Sequence, residues 1–310
     1  MTELTTLSGA PVLPFSFGAM QFGGKADAGA SAEMFAAARA AEITHFDTAW
    51  IYTDGRSEDI LGALAAPERD ALYIATKVGY SGGAGRENIL AQTEQSLTRL
   101  GMDAVDLLYL HRFDPETDLR QTIDALATVQ ARGQARHLGL SNFAAWQVMK
   151  AQAIAAEFGT RIDVIQPMYS LVKRQAEVEL LPMAADQGLA VCTYSPLGGG
   201  LLTGKYAAGG AGRLTEDDRY AARYDAATIR EAAHGLSAVA RDLGVHPATL
   251  AVAWVRAHET GPQPILSARS AEQLAPSLAA LSYTMTAEVH ARLCDLMPAP
   301  PPATDRTEEG

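Results

Sequence analysis

Eight short apolar runs, each followed by a stretch with the pattern of a helix, limit most strongly how this chain can fold. The runs cover residues 15–20, 45–47, 71–76, 105–110, 135–140, 164–166, 189–194 and 264–266. Short apolar runs between polar or glycine-rich segments are typical of buried strands. Most of these runs are apolar on both faces, which favours a parallel sheet that is covered on both sides.

The helical stretches complete the alternation. They cover residues 32–41, 57–64, 87–100, 119–130, 144–158, 176–187 and 271–280, with further helices at 226–243, 247–258 and 287–296. Ser57 is expected to cap the second helix, and Pro247 to lie in the first turn of its own helix. Eight such units predict an α/β fold of the (β/α)8 TIM barrel type. An open dinucleotide-binding sheet is disfavoured, because no Gly-x-Gly-x-x-Gly follows an early strand.

The ends of the chain add two expectations to the barrel. Residues 4–13 predict a β-hairpin that turns at Ser8-Gly9 and plugs one end of the fold. The extra helices are expected after strand seven, beyond the Gly-rich connection 198–225, and at the C-terminus. We therefore expect one barrel domain over residues 1–297 and a Pro-rich, mobile tail over 298–310.

Composition excludes several classes of partner. A net charge of −11 leaves no basic surface for nucleic acid, so an anionic ligand must be met by a few local Lys or Arg residues. The N-terminal residues have no signal-peptide pattern, and no apolar run reaches membrane-spanning length. Cys192 and Cys294 are too few for a disulfide framework, and the histidines lack the spacing of metal ligands. We expect a cytoplasmic protein without a metal or membrane partner.

Polar residues stand at the ends of these runs or in the loops that follow them. In a parallel barrel these positions meet at the C-terminal end of the strands, where the active sites of such barrels lie. The residues are Asp47, Tyr52, Lys77, His111, Ser141, Asn142, Gln166, Tyr194, Ser195 and the segment 267–269. One such residue is unremarkable, but a polar residue after each of strands two to eight indicates a functional site.

Four of these residues suggest proton transfer. A phenol has an unperturbed pKa of about 10, and a nearby ammonium lowers it. Asp47 can hold the Lys77 ammonium beside Tyr52, and neutral His111 can hydrogen-bond a substrate oxygen. Taken singly, each also has a structural explanation: Asp47 as a turn cap, Tyr52 as a core-rim aromatic, Lys77 as a solvated strand end. His111 alone could be a hydrogen-bonded core histidine.

Motifs on successive strand ends make the chain resemble the aldo-keto reductases from about residue 15 to residue 281. The matching motifs are His45-Phe46-Asp47-Thr48-Ala49 with Tyr52, Thr76-Lys77, Leu110-His111-Arg112, Gly139-Leu140-Ser141-Asn142-Phe143, Gln166, Tyr194-Ser195-Pro196-Leu197, Leu201-Leu202-Thr203-Gly204-Lys205-Tyr206, and Ala268-Arg269-Ser270 with Gln273. As a set these motifs are highly specific, although none is so alone.

The resemblance implies NADPH-dependent reduction of an aldehyde or ketone to the alcohol. Tyr52 would be the proton donor, Lys77 and Asp47 would depress its pKa, and His111 would orient the carbonyl. The implied cofactor contacts are Gly18, Met20, Asp47, Ser141, Asn142, Gln166, Tyr194, Ser195, Pro196, Leu197, Gly199, Lys205, Ser267, Arg269 and Gln273. Among them, Tyr194 would stack on the nicotinamide, and Arg269 would bind the 2′-phosphate as a planar cation.

One departure from the family pattern follows Gln273. Family members often carry Glu-Asn in the next turn, against the adenine, and this chain has Pro276-Ser277 there. A preference for NADPH over NADH then depends mainly on Arg269. Arg213, Arg219 and Arg223 are further candidates for contacts with the phosphates.

Other functions fit parts of this pattern. A nicotinamide-nucleotide-binding sensor or regulatory subunit with slow turnover would keep the same four residues. An unrelated barrel lyase or isomerase would not need the cofactor-type motifs of strands five to eight. The substrate is expected to be a small neutral carbonyl compound, in a pocket walled by Met20, Phe22, Trp50, Tyr80 and Phe113 together with the loop after strand seven.

Overall fold

A computed structural model describes residues 2–206, 209–306 and 308. Its centre is a closed barrel of eight parallel strands, each paired with its neighbours in chain order. The strands are β1 (Ser16–Gly18), β2 (His45–Asp47), β3 (Tyr73–Val78), β4 (Val105–Leu110), β5 (Ala135–Ser141), β6 (Val164–Gln166), β7 (Ala190–Thr193) and β8 (Gln263–Leu266). The predicted (β/α)8 barrel is confirmed.

Helices surround the barrel and cover its outer face. They are α1 (Ala28–Ala40), α2 (Arg56–Ala65), α3 (Arg86–Leu100), α4 (Leu119–Ala131), α5 (Ala145–Glu157), α6 (Leu180–Asp186), α7 (Arg213–Glu216), α8 (Asp218–Arg223), α9 (Ala227–Leu243), α10 (Pro247–Arg256), α11 (Ala271–Leu278) and α12 (Ala287–Cys294). Pro247 begins α10, as predicted. In the described parts of the chain, no helix is both long enough and apolar enough to cross a membrane.

Three local predictions were wrong. Residues 176–187 form a 3-10 turn followed by α6, because Pro182 cannot continue a helix that began at 176. Ser57 does not cap α2: Gly55 occupies the cap position, and the buried Ser57 hydroxyl donates to the Ala19 carbonyl at 2.8 Å. Lys77 lies inside β3, one residue before its end, where it was expected to follow the strand.

The barrel interior is filled from alternate positions of the strands. Tyr109 on β4 pairs in register with Lys77 on β3 and with Gly139 on β5. A Cβ atom at Gly139 would overlap the ring of Tyr109, so the glycine makes room for this ring. Tyr109 belongs to the interior cluster that also contains Tyr73, Leu107 and Cys192, and this packing fills the barrel below the site.

The N-terminal residues close the base of the barrel. An antiparallel bridge joins Thr5 to Pro11, and Leu4 and Val12 pack against the apolar residues of the interior. Arg136 on β5 donates to the Thr5 carbonyl at 2.9 Å, which fixes the hairpin to the strands. Residues 207 and 208 of the Gly-rich connection, and 307, 309 and 310 of the predicted tail, lie outside the described residues.

Candidate active site

The buried pair of Asp47 and Lys77 is the centre of the site. Asp47 ends β2 and Lys77 lies on the neighbouring β3; their side chains are 4% and 1% exposed and form an ion pair. Lys77 Nζ also donates to the Thr48 carbonyl at 2.8 Å. The second oxygen of Asp47 accepts from Gln166 Nε2 at 2.9 Å, so both carboxylate oxygens are satisfied.

Tyr52 begins a 3-10 turn, Tyr52–Gly55, in the loop after β2. Its ring centroid lies 5.1 Å from Lys77 Nζ and 5.7 Å from the ring of His111, to which it is nearly perpendicular. The loop turns sharply after the tyrosine, because Thr53 and Asp54 both have left-handed backbone angles, with φ of 50° and 57°. Each such residue costs on the order of 1–3 kcal/mol, and such strain concentrates at functional sites.

The pKa directions give each group a protonation state. Burial raises the pKa of Tyr52; Lys77 opposes this effect, whereas Asp47 adds to it. The prediction that Lys77 and Asp47 together depress this pKa is therefore wrong, since only Lys77 acts in that direction. Burial lowers the pKa of Lys77, but Asp47 and Tyr52 outweigh burial and leave it raised. Tyr52 is thus a neutral phenol beside a firmly charged ammonium.

His111 follows β4, and the ring of Tyr52 lies near both His111 and Lys77. Burial, with Lys77 and Arg112 adding to it, lowers the pKa of His111 to about 3, so the imidazole is neutral. Its ring lies 4.9 Å from that of Tyr80. Within the described residues, its Nδ1 atom is buried and makes no hydrogen bond. A neutral imidazole beside a neutral phenol can present two hydrogen bonds to a single substrate oxygen.

A polar network extends from this centre across the ends of β5, β6 and β7. The Ser141 hydroxyl donates to the Gln166 carbonyl at 3.1 Å, and Asn142 Nδ2 donates to the His111 carbonyl at 2.9 Å. The half-buried Tyr194 donates its hydroxyl to Asn142 Oδ1 at 2.6 Å. Five residues from four distant segments of the chain are therefore brought together, as predicted from the strand ends.

The segment after β7 forms a glycine-lined turn. Ser195, Gly199 and Gly200 all have left-handed φ angles, of 60°, 66° and 95°. A Cβ atom at Gly200 would lie 3.2 Å from Lys205 Nζ, so the backbone and this ammonium face one another closely. Pro196 is buried and Leu197 packs partly against the core, so these two residues shape the turn.

Residues 212–224 form a strap that contacts the loops after β1, β7 and β8. Glu216 binds Arg269 with distances of 2.9 and 3.3 Å and reaches Lys25 at 3.5 Å. Arg213 Nη2 lies 3.9 Å from the sulfur of Met20 in the loop after β1. Helices α7 and α8 of the strap were not predicted, because a Gly-rich connection carries no helical period. The pairing of Glu216 with Arg269 was not predicted either, because the two residues are 53 positions apart in the chain.

The remaining predicted cofactor residues lie along the same rim. Gly18 ends β1, where a Cβ atom would lie 2.9 Å from Ile265 Cγ2. In the described residues, the Ser267 hydroxyl after β8 is buried and has no partner. Gln273 is exposed in the first turn of α11, and Ser277 is buried, so Ser277 does not reach the rim. Arg269 and Lys25, which both pair with Glu216, are cations beside this turn.

The structure contradicts part of the predicted pocket wall. Tyr80 and Met20 are exposed beside the site, at 38% and 37%. Phe22 is fully buried against Phe17, with ring centroids 5.6 Å apart, and does not line an open pocket. Trp50 points outward instead and donates its indole N–H to Gln95 on α3 at 2.9 Å.

The site has no arrangement for a resident metal within residues 2–206, 209–306 and 308. No group of three or more His, Cys, Asp or Glu side chains there is placed to hold an ion. Both cysteines are free thiols. The donor set fits an organic, anionic cofactor better, because it combines amides, hydroxyls and a tyrosine ring with Lys205, Arg269 and a glycine-lined turn.

A model of the aldo/keto reductase family matches residues 14–297. The chain belongs to the aldo/keto reductase family. The predicted family is confirmed, and as an aldo/keto reductase the protein is an oxidoreductase of a family that generally uses NAD(P)H.

Relatives of this aldo/keto reductase carry different descriptions. A probable voltage-gated potassium channel subunit beta of Oryza sativa subsp. japonica is 32% identical over an alignment of 325 positions, which covers 96% of this chain and 97% of that protein. An uncharacterized oxidoreductase of Bacillus subtilis (strain 168), YrpG, is 33% identical and covers 94% of each chain. Aflatoxin B1 aldehyde reductase member 2 of Rattus norvegicus is 39% identical, over 64% of this chain and 56% of that protein.

Proposed function

We propose that this aldo/keto reductase uses NADPH to reduce an aldehyde or ketone to the alcohol, with Tyr52 as the proton donor. The observation that carries the proposal is the position of Tyr52 between two partners. Its ring centroid lies 5.1 Å from the charged Lys77 and 5.7 Å from the neutral ring of His111. A phenol placed in this way can donate a proton to an oxygen that His111 also hydrogen-bonds.

Each of the four residues then has one task. When bound among these residues, NADPH would supply the hydride that reduces the carbonyl carbon. Negative charge develops on the carbonyl oxygen, and donors placed in advance stabilise it. Tyr52 and His111 are these donors, and Tyr52 transfers its proton to the oxygen. Lys77 lowers the cost of the resulting phenolate through its charge, and Asp47 holds Lys77 in place.

The cofactor would be held along the rim of the barrel. Ser141, Asn142 and Gln166 would bind the nicotinamide carboxamide, and Tyr194 would stack on its ring. The glycine-lined turn and Lys205 suit a pyrophosphate, because glycine backbone allows close approach. The unpartnered Ser267 hydroxyl is a further donor.

Preference for NADPH is proposed to depend on Arg269. A guanidinium binds phosphate through parallel hydrogen bonds, and Glu216 already holds this one in a two-pronged geometry. The 2′-phosphate would bind at the same guanidinium and share it with Glu216, or replace Glu216 there. This arrangement lets a chain of net charge −11 bind an anionic cofactor.

A sensor or regulatory subunit with slow turnover is the second candidate. The name of the rice relative, a probable channel subunit that aligns with 96% of this chain, favours it. Both candidates bind the cofactor and keep the four residues, so binding alone does not separate them. The rate of steady-state turnover does.

The test is a panel of aldehydes, ketones and sugars assayed with NADPH by its absorbance. The reductase proposal expects steady oxidation of NADPH through many turnovers with at least one class of carbonyl compound. Oxidation of a single equivalent, followed by a rate that no substrate raises, would support the regulatory subunit instead. A cytoplasmic location remains a proposal and is checked by fractionation.

A further inference from the structure

The loop that carries Tyr52 is held from outside the barrel by a charged cluster on α2, α3 and β3. We propose that Arg99, at the end of α3, is a positioning residue that keeps Tyr52 at its distance from Lys77. This inference rests on the proposed role of Tyr52 as proton donor. Arg99 touches none of the groups that meet substrate or cofactor; it acts on the backbone of the loop.

The loop needs such a restraint because its backbone is strained. Three successive residues after Tyr52, namely Thr53, Asp54 and Gly55, have left-handed φ angles of 50°, 57° and 92°. Side-chain-bearing residues adopt this conformation only where surrounding structure enforces it. The turn directs Tyr52 towards Lys77, so relaxation of the turn would move the phenol.

Arg99 meets this turn at both of its ends. Its Nη1 donates to the Trp50 carbonyl at 2.9 Å, and its guanidinium lies 5.4 Å from the centroid of the Trp50 ring. The guanidinium also covers the backbone of Gly55, where a Cβ atom would lie 2.5 Å from Arg99 Cζ. The φ angle of 92° favours glycine at position 55, and the missing side chain leaves room for the guanidinium packed upon it.

A buried carboxylate links Arg99 to β3, the strand that carries Lys77. Glu58 on α2 is fully buried; it accepts from Arg99 at 3.3 Å and from the Thr76 hydroxyl at 2.6 Å. Thr76 precedes Lys77 on β3. A buried carboxylate without partners would be costly, so the cluster of Arg99, Glu58 and Thr76 is held together.

Backbone hydrogen bonds complete the connection between the loop of Tyr52 and the strand of Lys77. The Trp50 N–H donates to the Lys77 carbonyl at 3.0 Å, and the Trp50 carbonyl accepts from Arg99. The peptide groups around Trp50 are therefore tied to β3 on one side and to α3 on the other. A shift of Arg99 moves the loop relative to Lys77, and displacement of a reacting group by about 1 Å can cost about 10²-fold in rate.

The test compares Arg99→Met and Arg99→Lys with a control variant, Arg86→Met. Arg86 lies on the same helix as Arg99 and pairs with Asp124. Hydrogen–deuterium exchange of residues 50–57 reports on the loop. The kcat with 4-nitrobenzaldehyde and the Kd for NADPH report on the site. Arg99→Lys keeps the charge but loses the planar guanidinium, so we expect it to lie between the wild type and Arg99→Met.

We expect Arg99→Met to raise amide exchange in residues 50–57 at least tenfold and to lower kcat about 10–100-fold, with the Kd for NADPH within twofold of the wild type. Arg86→Met should change none of these. Unchanged exchange, unchanged kcat despite faster exchange, or equal losses in kcat and NADPH binding would each overturn the inference. A wild type that turns over no member of the carbonyl panel would overturn the proposed function, and the exchange data would still decide whether Arg99 holds the loop.

Discussion

Lys77 Nζ and Asp47 Oδ1 form an ion pair whose two side chains are almost completely buried. Because Asp47 also accepts from Gln166 and Lys77 also donates to Thr48, neither group has a free polar atom facing the barrel core. The pair spans β2 and β3, and Tyr52 lies above it. Its geometry makes stability and the proposed catalysis depend on the same two residues.

Removal of Lys77 alone should therefore be costly. Lys77→Met leaves the Asp47 carboxylate buried without its counter-ion, and breaking such a pair costs about 3–5 kcal/mol. The double variant Lys77→Met with Asp47→Asn should recover much of this loss, because the buried charge is gone and Gln166 keeps an acceptor. Urea unfolding at pH 7.5 measures both. Additive losses would contradict a coupled pair.

The rate of reduction should be independent of pH over the neutral range. Tyr52 must be protonated to donate, and burial raises its pKa, so the acid form persists well above neutrality. His111 has a pKa of about 3 and is neutral throughout this range. We expect kcat for reduction to be flat from about pH 6 to about pH 9 and to fall only at higher pH. A change in kcat near pH 6.5 that is absent in His111→Gln would contradict these assignments.

Arg269→Ala should change the choice of cofactor. The loss of charge-assisted hydrogen bonds, worth about 1.5–3 kcal/mol, should raise the Kd for NADPH about 10–100-fold. The Kd for NADH should change little. Arg292→Ala is a suitable control, since Arg292 pairs with Asp242 on the surface. Equal effects on both cofactors, measured by fluorescence titration, would rule out a 2′-phosphate role.

His45 should make the fold sensitive to acid. It is fully buried two residues before Asp47, and burial together with Lys77 lowers its pKa to about 3. The unfolded chain binds a proton near pH 6.5 and the folded chain does not, so stability falls as pH drops below 6.5. This residue should account for about 2 kcal/mol of the loss between pH 7.5 and pH 5.

The matching measurement is urea unfolding of the wild type and of His45→Gln at both pH values. The variant should lose about 2 kcal/mol less than the wild type between the two pH values, whatever its stability at pH 7.5. Identical losses in the two proteins would show that His45 is not the titrating group.

Much of the fold was readable from the sequence, because apolar runs and helical periods are local signals. Strand β4 was predicted with its observed bounds, and the residues at the strand ends come together because parallel strands share one end. The position of Lys77 inside β3 was missed, since an apolar run does not reveal where pairing with β4 stops.

Contacts between distant segments carried no such signal. The pair of Glu216 and Arg269 joins a Gly-rich connection to the segment after β8. The hydrogen bond from Arg99 to the Trp50 carbonyl joins α3 to the loop after β2. The left-handed angles of Thr53 and Asp54 are equally invisible in their residue types, because surrounding contacts impose them. The raised pKa of Tyr52 depends on burial, which only the folded structure provides.

The most direct test of the account is the kcat of Tyr52→Phe with NADPH and a reducible aldehyde. This variant removes one hydroxyl and keeps the ring between Lys77 and His111. The account predicts that kcat falls about 10²–10⁴-fold while the Kd for NADPH stays near that of the wild type. Turnover within a few fold of the wild type would contradict Tyr52 as the proton donor.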